Sequence, residues 1–392
     1  MITLDDALGR LEESVGCLPS EEVRVEKGGG RVLREDLHAR SRSPVEPIAA
    51  MDGYAVNASA VADGVPLKVV GQAAAGGTER LRIEFAQAVR IFTGGMIPHG
   101  SDCVVMQEYA RCVDGYVRFA EGHGPARHIR EAGSDFVEGV RLVAAGTRLG
   151  PRQMVLCSAA DVSQITVTRA ARIGILATGD ELAAPGTAQD RTGAIPESTS
   201  LAIAEMATLY GGNVVERIIL GDDFNALRRA ARKLVEHSDL LIILGGASVG
   251  ERDLAKELLR PFGLKWLFDK VAIKPGKPVW SGVVGETVVL GLPGNPSSAL
   301  VTARLLLPPI LELLHGATPA LQWRPLPVAA SLPRIGNRET FLRARWSNAG
   351  LVPLDDQSSG SQLALGQADY LIRCAADQDQ RASGTIVPAL LF

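Results

Sequence analysis

Five short stretches in the second half of the sequence carry residue types that handle anions. They are Thr178-Gly179-Asp180-Glu181, Gly221-Asp222-Asp223, a run from Gly245 and Gly246 through Ser248 and Gly250 to Asp253, Lys274-Pro275-Gly276-Lys277, and GLPGNPS from Gly291 to Ser297. Glycines let a backbone approach phosphate closely, and the hydroxyls of Thr178 and Ser248 add donors. Lys274 and Lys277 are cations suited to phosphate or another oxyanion. The carboxylates Glu181, Asp222 and Asp253 offer the hard oxygens that hold Mg²⁺, which in turn bridges phosphate oxygens. Together they describe a metal-assisted phosphate site. Each piece also has a plainer reading. Asp222 or Asp223 can cap a helix, the lysines can be solvated, and the Gly/Ser run lacks the GKS or GKT of a phosphate-binding loop.

The combination gains meaning from the elements that must position it. RIGILAT (172–178), NVVERIIL, DLLIILGG and TVVLGLPG read as buried strands. TSLAIAEMATLY, DDFNALRRAARKLVEHS and ERDLAKELLRPFG read as helices between them, and a last helix runs from about Ser297 through LLLPPILELL. This alternation predicts a mostly parallel sheet covered by helices on both faces. In such sheets ligands collect beyond the C-terminal strand ends, where these loops fall. The corner GLPGNPSSAL cannot continue a strand or lie inside a helix. Asn295 or Ser297 can cap the helix that follows, Pro296 suits its first turn, and its free N–H groups suit an anion.

The rest of the chain sets bounds. Its 392 residues suggest two to three domains, with ordinary globular composition: 46% apolar and 22% charged. With 41 basic and 44 acidic side chains the net charge is −3, which argues against a broad nucleic-acid footprint. Five cysteines without a CxxC pair predict reduced thiols in a cytoplasmic protein. The first residues do not read as a secretory signal, and no uncharged apolar run reaches the roughly 20 residues of a membrane helix. Thr3 and Asp6 form an N-cap signature for a helix with Leu4, Ala7, Leu8 and Leu11 on one face. Residues 40 to 140 are β-rich, with MDGYAV (51–56) and FTGGMIP (92–98) as exposed turns. The last 70 residues or so read as a small all-β domain.

Read in order, MDGYAV, IFTGGMIP (91–98), VVMQE (104–108), TGDEL with a following PG (178–186), GGASVG (245–250), KPGKP (274–278) and GLPGNPSSA (291–299) resemble the MoeA family of molybdopterin molybdenumtransferases over essentially the whole chain. The resemblance implies four parts: a helical part from 1–39 and 140–167, a β-rich insert at 40–139, an α/β molybdopterin-binding domain at 168–317 and a C-terminal β-barrel at 318–392. It implies insertion of molybdate into adenylylated molybdopterin, with Mg²⁺ and release of AMP. It also implies a homodimer whose cleft joins the α/β domain of one subunit to the β-rich insert of the other. Transient contact with a molybdopterin adenylyltransferase and with acceptor molybdoenzymes would follow, with no nucleic acid or membrane. By matching motifs, Asp52, Thr93, Glu181, Asp222 and Asp253 take the functional polar positions, the last three as metal ligands. Pro293 and Pro296 take rigid-loop positions, while Lys274 and Lys277 meet phosphate or the incoming oxyanion. Thr178, Gly179, Asp180, Gly245, Gly246, Ser248, Gly250, Gly294, Asn295 and Ser297 surround the substrate.

One departure is Glu197-Ser198-Thr199, where the family usually has Asp-Ser-Asn. The rival readings are an adenylyltransferase or related nucleotide pyrophosphatase, which share the α/β module, and a non-catalytic cofactor-binding scaffold.

Overall fold

The structure, a computed structural model, describes residues 1–245 and 254–392. The expected site residues Gly246, Ser248, Gly250 and Asp253 lie outside the described residues. The chain forms two compact units. One comprises Met1–Glu35, Ala145–Gly150 and Thr166–Phe392, the other Asp36–Ala144 and Pro151–Ile165.

The first unit is organised by a six-stranded sheet of Arg172–Thr178 (β1), Asn213–Leu220 (β2), Leu240–Leu244 (β3), Lys265–Phe268 (β4), Trp280–Val284 (β5) and Thr287–Leu292 (β6), in the order β2-β1-β3-β6-β5-β4. The first four in that order run parallel, and β5 and β4 are antiparallel. All five residues of β3 and six of seven in β1 are buried, as strands covered on both faces must be.

Alternation divides each strand between two cores. Ile173, Ile175, Leu240 and Ile242 face a core completed by Leu4–Ser14 (α1), Thr199–Leu209 (α2) and Pro296–His315 (α5). Leu176, Leu241 and Ile243 face the other, with Phe224–His237 (α3) and the end of Leu254–Leu259 (α4). Helix α1 begins as its sequence predicts: the Thr3 hydroxyl accepts from Asp6 N–H at 3.0 Å, and Thr3 N–H donates to the Asp6 carboxylate at 3.1 Å. Helix α5 has the length and apolarity to cross a membrane, but most of it is buried in the first core. Its apolar residues are core residues of this unit.

Two features differ from the sequence reading. The β5–β6 hairpin, turning at Gly285, has no clear strand signal in the sequence, because WSGVV mixes glycine and serine with its apolar positions. The segment before KPGKP does not supply a parallel strand end to this sheet. Lys265–Phe268 is its antiparallel edge, and Ile273–Lys274 instead pairs with Glu339–Thr340 of the C-terminal sheet. That C-terminal sheet contains Arg324–Pro327, Glu339–Ser347, Gly350–Pro353, Tyr370–Cys374 and Ile386–Leu391. A single bridge between Val328 and Leu351 links its two edges.

The second unit holds another six-stranded sheet, ordered Cys103–Met106, Gly53–Val56, Gln87–Ile91, Leu67–Ala73, Tyr116–Phe119 and Ala110–Val113. Where Gly53–Val56 meets the edge strand Cys103–Met106, glycine is required at 53, since a Cβ there would lie 2.0 Å from the Val105 carbonyl oxygen. The helix Pro151–Ala159 belongs to this unit.

Candidate functional site

A cavity of about 620 Å³ lies beyond the C-terminal ends of β1, β3 and β6. Strands β2 and β3 flank β1 on opposite sides, so chain connections leave in opposite directions here and open a crevice. Its wall includes Thr178, Gly179 and Glu181 after β1, Asp222 after β2, Gly245 after β3, and Pro293, Gly294, Asn295 and Pro296 after β6. The segment Ile195 to Thr199, with Pro278 and Gln362, completes it.

The floor is backbone packed on backbone. Gly245 has φ +90°, and a Cβ there would lie 2.6 Å from the Thr178 carbonyl oxygen and 2.9 Å from its hydroxyl. The Glu181 carboxylate folds back over Gly179, where an added Cβ would be 2.8 Å from one of its oxygens. No side chain but hydrogen fits at either glycine without displacement.

The paired aspartates after β2 have separate jobs. Asp223 caps α3, accepting from Asn225 N–H at 2.9 Å and Ala226 N–H at 3.3 Å. Asp222 lines the cavity. Burial lifts its pKa above the usual carboxylate value, and the charges of Asp180 and Glu181 lift it further. Asp222 and Glu181 are hard-oxygen donors of the kind Mg²⁺ takes, and their charges repel. Among the described residues no group of three metal-ligating side chains comes together. Asp180 is not on the cavity wall; its carboxylate accepts from Asp222 N–H at 2.9 Å and ties the two loops together.

Several expected ligand contacts are placed differently. Ser297 is fully buried and its N–H donates to the Ser359 carbonyl at 3.1 Å, so it offers that donor to no anion. Its hydroxyl accepts from Arg343 at 2.5 Å. Asn295 occupies the N-cap position of α5, but its side chain makes no capping bond and donates to the Ser359 hydroxyl at 3.3 Å. Lys274 and Lys277 are exposed, and the KPGKP loop reaches the cavity wall through Pro278.

Two polar residues have structural roles that only the fold reveals. Arg343, 1% exposed, binds Ser297 and the carbonyls of Asp356 and Ser358, the latter two at 3.1 Å, and so braces the α5 corner against the C-terminal sheet. Burial depresses its pKa, with Asp356 opposing that shift. An arginine inside a strand carries no local signal of such a role. Glu197, 3% exposed, accepts from Ser200 N–H at 2.7 Å and from Arg217 at 3.4 Å, so the departure from Asp-Ser-Asn is absorbed at the start of α2. Arg217 also donates to the Ser200 hydroxyl at 2.8 Å.

Asp52 and Thr93, both expected site residues, meet in the second unit. There the Asp52 carboxylate accepts from both the N–H and the hydroxyl of Thr93, each at 2.8 Å. These two bonds, with a smaller push from Arg90, hold its pKa below the usual carboxylate value despite partial desolvation. Arg90 donates to the Gly53 carbonyl at 2.6 Å and to Gln107 at 2.5 Å, while Gln107 N–H donates to the Asp52 carbonyl at 3.0 Å. MDGYAV, IFTGGMIP and VVMQE are thus parts of one local network.

Known proteins share this architecture. The family model described as "MoeA N-terminal region (domain I and II)" matches residues 2–160, and that described as "Probable molybdopterin binding domain" matches 174–313. The molybdopterin molybdenumtransferase of Haemophilus influenzae is 33% identical over 83% of this chain and 80% of its own length. That of Synechococcus elongatus is 30% identical over 99% of this chain and 98% of its own. A crystal structure of a molybdopterin biosynthesis MoeA protein from Pyrococcus horikoshii matches with a TM-score of 0.80 and 28% identity, covering 100% of this chain and 99% of that one.

Proposed function

Because the chain belongs to the MoeA family, we propose that it is a molybdopterin molybdenumtransferase, inserting molybdate into adenylylated molybdopterin and releasing AMP. The observation that carries this reading is the cavity where the TGDEL, Gly221-Asp222 and PGNP loops meet. Similarity to molybdenumtransferases over nearly the whole chain favours it over a free-standing adenylyltransferase or pyrophosphatase, which the α/β domain alone would serve.

Substrate and molybdate are both anionic, so the site must offset their mutual repulsion. Glu181 and Asp222 would hold Mg²⁺, with Asp253 as the third carboxylate. When bound, that ion supplies positive charge to the phosphoryl oxygens. Thr178 and the backbone of Gly179, Gly245 and Gly294 approach the substrate, and Pro293 and Pro296 hold the PGNP corner still. A displaced donor loses much of its rate effect, which gives rigidity here a chemical purpose. Lys274 and Lys277 would approach the incoming oxyanion through movement of their flexible stems.

The four-part division of the chain, closure of the C-terminal sheet into a barrel and cytoplasmic location belong to the same proposal. So does a homodimer in which Asp52 and Thr93 of one subunit complete the cavity of the other. Transient contact with the adenylyltransferase that supplies its substrate, and with acceptor molybdoenzymes, completes it.

The test supplies purified protein with adenylylated molybdopterin, molybdate and Mg²⁺. AMP release and reconstitution of an apo-molybdoenzyme are expected. Pyrophosphate release from ATP in place of AMP formation would assign the rival chemistry, and neither product would leave a scaffold.

A further inference from the structure

A second cleft, of about 230 Å³, lies in the first unit away from the TGDEL and PGNP loops. It is lined by Tyr210 at the end of α2, Arg304, Pro308 and Glu312 on α5, and Gln322, Arg324 and Leu391 of the C-terminal region. Its charges do not balance locally. Arg304 donates its Nε–H to the Leu391 carbonyl at 2.8 Å and lies 5.7 Å from the centre of the Tyr210 ring. Among the described residues neither Arg304 nor Arg324 has a carboxylate partner. The cleft's one carboxylate, Glu312, is engaged by Arg148 at 3.0 Å.

Two guanidiniums, a phenol and the Gln322 amide therefore border a concavity whose acid is already neutralised. A partly buried guanidinium lacking a counter-ion is costly, and a planar fork of N–H donors matches the oxygens of a tetrahedral oxyanion. The volume suits a small ligand. We infer that this cleft binds a small tetrahedral oxyanion, with the half-buried Arg304 as the inner anchor and Arg324 as the outer clamp. The ligand is either a free inorganic oxyanion or the phosphate of a nucleotide. Burial pushes the Arg304 pKa below its ordinary value while leaving arginine cationic, and an anion at the guanidinium would reverse that push. Arg304 follows Pro296 by eight residues on one helix, roughly 12 Å along its axis. The second cleft is thus distinct from the catalytic cavity.

The full chain would be titrated by calorimetry with sodium phosphate, and separately with AMP, at low ionic strength. The wild type is compared with Arg304→Met and, because a change at that half-buried position can disturb folding, with Arg324→Gln, an exposed position. The expected result is a binding event that Arg324→Gln weakens about tenfold or more while turnover stays at the wild-type level. Loss of this event with phosphate places a free oxyanion in the cleft, and loss with AMP alone places a nucleotide phosphate there. Crystals soaked in selenate would show anomalous density beside Arg304. Unchanged binding of both probes in Arg324→Gln, with no selenate at Arg304, would overturn the inference.

Discussion

Asp52 separates two contributions that one carboxylate can make. Its oxygen holds Thr93 through two 2.8 Å bonds, and its negative charge is retained because those donors favour ionisation. Asn keeps the acceptor and removes the charge. Asp52→Asn is therefore expected to keep its melting temperature within a few degrees while turnover drops about 100-fold, the scale of removing one preorganised electrostatic group. Wild-type turnover in that variant would make Asp52 only a brace for the Thr93 loop. At this scale the sequence is legible by chemistry but not by placement. GDD announces a cap and a ligand, yet only backbone direction assigns the cap to Asp223 and the cavity to Asp222. Ser297 and Asn295 have the right chemistry for an anion, but Ser359 claims the N–H of one and the amide of the other from 62 and 64 residues away.

Elements were easier to read, because their signals are local. The unbroken apolar runs of β1 and β3 and the Thr3 capping box each need only a few neighbouring residues. The β5 strand lacked such a run, and the pairing of Ile273–Lys274 with Glu339–Thr340 depends on a distant segment that no period in KVAIK announces. The α5 corner combines both kinds of information. Pro296 sets the first turn by itself, but Arg343 and Ser359 fix the corner from the C-terminal sheet. With those tertiary bonds intact, Pro296→Ala should lower kcat about tenfold with little loss of stability, since small displacements of a reacting group are costly to rate. Parallel measurements of kcat and thermal unfolding decide this; equal proportional losses in both would show that the proline serves the fold alone.

For the molecule as a whole, His315 couples the protonation state of the interior to stability. It ends α5, is 3% exposed, and accepts from Ala171 N–H through Nε2 at 3.3 Å. Burial, then the positive charges of Arg148 and Arg31, lower its pKa from 6.5 to about 4, while Asp239 pulls the other way. The folded chain therefore keeps His315 neutral where an unfolded chain would protonate it. Its penalty is absent above pH 6.5, grows as pH falls toward 4, and is complete below that. Between pH 7 and pH 5 this amounts to about 2 kcal/mol of lost stability. Denaturant unfolding of wild type and His315→Gln at the two pH values should show a smaller pH dependence in the variant. Equal slopes would mean that His315 charges freely in the folded protein.

The same scale holds the question of subunits, because the proposed chemistry divides its residues between the two compact units. Asp52 and Thr93 lie in the second unit, and Glu181 and Asp222 in the first. If each cavity takes its Asp52 from the partner subunit, Asp52→Ala and Asp222→Asn proteins are inactive alone and complement each other when mixed. Random exchange of equal amounts makes half the dimers mixed, and each mixed dimer has one of its two cavities free of both changes. Activity should then recover to about a quarter of the wild-type value per subunit. Because both changes fall together in the other cavity of every mixed dimer, a double mutant mixed with wild type is the control for exchange: its mixed dimers hold one altered residue in each cavity and contribute nothing. No recovery on mixing the single mutants, with exchange verified by mass, would place Asp52 and Asp222 in the same subunit's site or in no common site at all.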